Sequence, residues 1–130
     1  MAKVLDHQSV EGPFQTRLRL YKRFGGLEGE YWTWMACDAP TLTYALLAMG
    51  MDGDERVLRA TQHLLNQGED NGWHCSAAPE MGKFKGPGRW EDPCPIANVY
   101  ALKALSLRPA WANSAAASLL FTVTHVCVKW

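Results

Sequence analysis

Three cations fall on one glycine-rich stretch, Lys83, Lys85 and Arg89 within Lys83-Phe84-Lys85-Gly86-Pro87-Gly88-Arg89. Such a stretch, just ahead of a helix, could hold a phosphate or a carboxylate. Glycine lets the backbone approach closely, and a helix N-terminus carries partial positive charge. The same residues also suit a solvated loop that turns on Gly and Pro. Aromatic rings are the second candidates. Six Trp in 130 residues point to a densely packed core or to an aromatic-lined cavity. Trp34, Trp73 and Trp90, with Trp32, are the rings that could line one end of a set of helices; core packing accounts for them equally well. His63 sits beside Leu64 and Leu65 as an edge or core histidine. No Ser, His and Asp arrangement can be argued from the chain.

These residues need elements to position them. Phe14, Leu18 and Tyr21 fall at i, i+4 and i+7, which predicts an N-terminal helix over about 13–24, stopped by Gly25-Gly26. Asp38 and Pro40 read as the start of a helix whose apolar residues are Leu42, Ala45, Leu46 and Met49. The turn Asp52-Gly53-Asp54 opens a second helix with Val57, Leu58, Thr61, Leu64 and Leu65 on one face. So short a connection implies that the two lie antiparallel. Gly and Pro then punctuate 68–93, a long loop of the kind that often carries function. A third helix follows from about Pro95 to Leu107, and a fourth from about Asn113 to Cys127.

Offset by 56 residues, the chain matches itself: Trp34 with Trp90, Tyr44 with Tyr100, Ala45 with Ala101, Leu46 with Leu102, Ala48 with Ala104. Two stacked helix pairs, at about 38–73 and 94–127, would each cover the other's apolar face. The expected fold is one all-α domain of antiparallel helix pairs over 1–130.

Charge narrows the function. Thirteen basic residues balance thirteen acidic ones, so no net field favours nucleic acid or an anionic membrane. The run Arg17 to Arg23 reads as a solvated face, too short to argue for nucleic acid. No stretch reaches the about 20 apolar residues of a membrane span, and Met1 to Gln8 carries charge where a leader needs an apolar run. A cytoplasmic location is expected, with Cys37, Cys75, Cys94 and Cys127 as reduced thiols or metal ligands rather than disulfides. None of them forms a C-x-x-C pair.

The stretch Arg59-Ala60, Leu64-Leu65, Gln67, Asp70-Asn71-Gly72-Trp73 resembles the Gln-Trp repeat of squalene/hopene cyclases and the related repeat of protein prenyltransferase β subunits. Asn71 replaces the first Gly of that pattern, and the resemblance covers roughly 38–120. It implies an α/α toroid, here only partial. It also implies that Gln67 and Trp73 hold helix pairs together, the Gln at a helix end and the ring between neighbours. An incomplete ring leaves apolar helix faces open, so a homodimer that completes more of the toroid is expected. The cyclases' Asp-rich acid motif is missing; Asp52-Gly53-Asp54 is the nearest stretch, in a turn where Asp and Gly belong anyway.

The prenyltransferase resemblance implies more. In that family Gly-Arg precedes Asp-x-Cys at the start of an inner helix, the Arg binding a prenyl diphosphate and the Asp and Cys binding zinc. Gly88-Arg89 and Asp92-Pro93-Cys94 match this pattern, with a shorter spacing and with Pro95-Ile96 where the family has aromatics. His74 is the nearest His to complete a zinc set; His125 lies at a different spacing. Lys85 and Arg89 would take the diphosphate. The alternative is structural: Asp92 caps the helix, Pro93 and Pro95 set its first turn, and Cys94 is a small buried residue.

Three functions are expected from these features. The first is a non-catalytic module that binds a hydrophobic small molecule, such as an isoprenoid, or a partner protein. The second is a zinc-dependent prenyl-diphosphate transferase or lyase. The third is an oligomerising remnant whose missing repeats carried the chemistry.

Overall fold

The computed structural model describes residues 2–84, 91–108 and 110. A single helical turn, α1 (Ala2–Leu5), precedes strand β1 (Thr16–Leu20), a 3-10 turn at Lys22–Phe24, and strand β2 (Gly29–Thr33). Helices α2 (Ala39–Ala48) and α3 (Glu55–Asn66) follow. Then come the two-residue strands β3 (Gly68–Glu69) and β4 (Gly72–Trp73), a 3-10 turn at Pro79–Met81, and helix α4 (Pro95–Ser106). The strands form two antiparallel two-stranded sheets, β1 with β2 and β3 with β4. The fold is therefore mixed α/β, and the all-α partial toroid predicted from the repeat is incorrect. The expected homodimer was to complete that ring, so its motive falls away. The fourth helix, predicted at 113–127, lies outside the described residues, as does Cys127.

The N-terminal helix predicted over 13–24 is a strand instead. Thr16-Arg17-Leu18-Arg19-Leu20 alternates polar and apolar residues. Arg17 and Arg19 are exposed, while Leu18 is half-buried and Leu20 only 6% exposed. That period of two belongs to a half-buried strand. β2 completes it in the register Thr16↔Thr33, Leu18↔Tyr31, Leu20↔Gly29. The helical spacing of Phe14, Leu18 and Tyr21 is coincidental: Phe14 is fully buried, whereas Tyr21 is half exposed.

The main core lies where α2, α3 and α4 meet. Ala97, Ala101 and Ala104 on α4 are all fully buried. Their spacing puts them on one face, and side chains this small let α4 close on α2, its principal partner. Leu46, Leu47, Val57, Ala60, Leu64 and Trp73 fill the remaining space. Asp54 caps α3, its carboxylate accepting the Arg56 N–H at 2.9 Å while Arg56 grips the same group with its guanidinium. Asp38 stands at the N-cap of α2 but makes no capping bond. Among the described residues no helix is long and apolar enough to cross a membrane.

Candidate functional site

Within the segment predicted as a long loop, the described residues pair on two sides. Its stretch Trp73 to Ala78 meets the end of β2 through the Met35–Ala77 bridge, with the Ala36 N–H donating to the Ser76 carbonyl at 2.8 Å and the Ala78 N–H to the Trp34 carbonyl at 3.0 Å. In the other direction His74 bridges Pro93, and the Cys94 N–H donates to the Trp73 carbonyl at 2.8 Å. Three remote segments thus converge at the starts of α2 and α4. They bring Cys37, Cys75 and Cys94 into electrostatic range of one another. Cys37 is pushed up to about 11, first by burial, then by the Asp38 carboxylate and by the two neighbouring thiols. Asp38 is itself raised by burial, partly offset by a hydrogen bond with the Cys37 thiol. A thiol held this high stays protonated at neutral pH and is a poor nucleophile.

The zinc set implied by the prenyltransferase resemblance does not assemble. Cys94 stands at the N-cap of α4 without a side-chain capping bond, and Asp92 is exposed. His74 turns its Nε2 to the Asn71 side-chain oxygen at 2.7 Å, with Glu69 at 3.8 Å. Among the described residues no group of three or more His, Cys, Asp and Glu side chains could hold a metal ion. Lys85, Arg89 and Trp90 lie outside the described residues.

Trp73 and Trp34 are both buried, and each indole N–H is hydrogen-bonded. Trp73 is 2% exposed, and its indole N–H donates to the Leu64 carbonyl at 2.8 Å, near the C-terminal end of α3. Gln67, at the C-cap of α3, receives the Ser76 hydroxyl at 3.1 Å. The Trp34 indole N–H donates to the Glu11 carboxylate at 2.8 Å, and its ring meets His63 edge-on at 5.1 Å. Both tryptophans and His63 border a cavity of only about 20 Å³, room for about one water. It is too small to be an aromatic-lined ligand chamber.

The larger space lies elsewhere. A cleft of about 230 Å³ opens between the β1 hairpin and the second 3-10 turn, walled by Leu18, Leu20, Phe24, Met35, Met81 and Phe84. Tyr21, Arg19 and Arg23 complete its lining. Phe24 and Phe84 meet edge to face at 5.3 Å. The walls are locked by backbone bonds: Leu27 N–H to the Glu80 carbonyl at 2.9 Å, and Lys83 N–H to the Phe24 carbonyl at 2.8 Å. Two glycines make that approach possible. A Cβ on Gly26 would meet Glu80 and Met81 backbone, and one on Gly82 would meet the backbone of Phe24 and Gly26.

Sequence reasoning missed this cleft. Its one local signal is the Arg-Leu alternation of 17–20 running into Tyr21 and Phe24. Read with a period of two, that pattern marks a strand with an inward apolar face.

No protein-family model, curated protein or solved structure matches this chain.

Proposed function

We propose that the chain is a non-catalytic binding module that takes a hydrophobic small molecule in the cleft beside β1. The observation that carries this reading is the cleft itself, about 230 Å³ of space with six apolar walls. That is a little under the about 300–1,000 Å³ of typical ligand pockets, so it suits a slender chain or part of a larger ligand. Among the described residues its lining holds no carboxylate, imidazole or thiol, the groups most often used for acid–base or nucleophilic chemistry. Apolar burial would supply the affinity, at about 0.8 kcal/mol per methylene covered.

The test is equilibrium binding of dodecanol, a neutral single-chain probe, by calorimetry. Saturable binding at one site per chain is expected, lost when Leu18→Glu places a carboxylate in the wall. Circular dichroism of the variant shows whether the fold survives. A folded wild-type protein that takes up no dodecanol sinks the reading.

A further inference from the structure

We infer that the cleft's ligand is an amphiphile with an acidic head, a medium-chain carboxylate, whose oxygens are read by Arg19 and Arg23. The inference rests on the cleft reading above and adds the chemical class of the ligand.

The first observation is an unspent cation on β1. The β1–β2 register places Arg19 directly opposite Glu30, where an ion pair would ordinarily form. The Glu30 carboxylate is instead taken by the diagonal neighbour, Arg17, whose Nη2 lies 2.6 Å from Oε2. Among the described residues Arg19 makes no ion pair, and it lines the cleft.

The second observation is the placement of Arg23. Its guanidinium carbon stands 4.8 Å from the centre of the Phe24 ring and 5.3 Å from that of Tyr21, and both rings line the same cleft. Stacking on aromatic faces holds the planar group in place and leaves its N–H edge for an acceptor. Arg23 likewise makes no ion pair among the described residues.

The third is the sign of the surroundings. The cleft lining includes two arginines, Arg19 and Arg23, and among the described residues no acidic one; neither Glu28 nor Glu80 is part of it. Lys22 and Lys83, both exposed, adjoin lining residues in the chain. An apolar slot with two cations in its lining complements a chain that ends in an anion. A guanidinium fork matches the two oxygens of a carboxylate.

The deciding experiment is calorimetric titration with dodecanoate and with dodecanol, both below their aggregation limits, on wild-type protein and on Arg19→Gln/Arg23→Gln. Charge-assisted contacts of this kind should make dodecanoate bind at least about tenfold tighter than dodecanol. The advantage, read as the ratio of the two affinities within each protein, should shrink in high salt and vanish in the double variant. Equal affinities in the wild type, or a preference that survives the double variant, would overturn this inference and leave the apolar cleft standing. Failure of both probes would overturn the cleft as well. Co-sedimentation with phosphatidylglycerol vesicles separates a free amphiphile from a membrane surface. Vesicle binding that Arg19→Gln/Arg23→Gln abolishes, without saturable uptake of dodecanoate, would also overturn it.

Discussion

Asn98 holds the backbone of Trp73 from both sides. Its side-chain oxygen accepts the Trp73 N–H at 3.1 Å, and its amide nitrogen donates to the Trp73 carbonyl at 2.8 Å and to the Cys94 carbonyl at 2.7 Å. Asn98 is 2% exposed, and its two bonds to Trp73 form out of reach of solvent. They join α4 to β4 and fix the segment on which His74 and Cys75 ride. Replacing Asn98 with Leu leaves the buried Trp73 N–H without this acceptor, whereas its carbonyl keeps the Cys94 N–H. The expected loss is about 2–3 kcal/mol of unfolding free energy. Urea unfolding of Asn98→Leu measures it, and an unchanged midpoint would show that the bonds contribute nothing net.

The cleft depends on the close approach of Gly26 and Gly82. An alanine Cβ at Gly82 would lie 2.7 Å from the Gly25 carbonyl carbon, and the residue sits at φ +63, a region that costs a non-glycine residue about 1 kcal/mol or more. Gly82→Ala should therefore destabilise the fold and weaken dodecanol binding together. Gly53 supplies the control, because nothing lies within 4 Å of a Cβ built there. Gly53→Ala should stay within about 0.5 kcal/mol of wild type and bind normally. If Gly82→Ala binds dodecanol as well as Gly53→Ala does, the glycine contact does not shape the cleft.

The parts of this architecture that could be read from the sequence are local ones. The segments read as helices around Leu42, Val57 and Pro95 correspond to α2, α3 and α4, and Asp54 caps α3 three residues before the buried Val57. Faces were harder to read than elements. On α2 the buried residues include Thr43 and Leu47, while Met49, placed on the apolar face by spacing, is 57% exposed. The all-α reading failed at β1, where three aromatic and aliphatic residues at helical spacing competed with a five-residue alternation. The alternation prevails because β2, thirteen residues away in the Arg17–Glu30 pair, supplies the hydrogen-bonding partner. The convergence of Cys37, Cys75 and Cys94 and the Gly26–Gly82 contact were illegible for the same reason. Each depends on a pairing between segments dozens of residues apart, and neither residue type nor spacing encodes it.

His63 predicts a pH response. Its Nδ1 lies 2.9 Å from the Glu11 carbonyl, an acceptor that requires the proton on Nδ1. Its Nε2 is buried without a hydrogen-bond partner. Protonation would place a charged N–H there, and burial accordingly lowers the His63 pKa from its ordinary value. With the folded pKa below the unfolded one, the unfolded chain binds the proton more readily as pH falls, so stability is full above about 6.5 and declines below it. Urea midpoints should fall between pH 7 and pH 5 in the wild type. His63→Leu should show a shallower fall over the same range. Parallel pH profiles for the two proteins would show that His63 does not carry the effect.

Cys37 makes the opposite kind of prediction, about reactivity. With its pKa about 11 against an ordinary value of 9.0, its thiolate fraction at neutral pH should be roughly 100-fold lower than that of an unperturbed thiol. Iodoacetamide labelling of the native protein, followed peptide by peptide by mass spectrometry, should modify Cys37 at least about that much more slowly than the same residue in urea-unfolded chain. Burial is the first cause of the shift and cannot be removed without unfolding. The charge of Asp38 comes second, so Asp38→Asn should speed the native reaction. Labelling at the unfolded rate in native protein would mean that burial does not protect Cys37. Indifference to Asp38→Asn would show that the Asp38 charge does not hold the Cys37 thiol up.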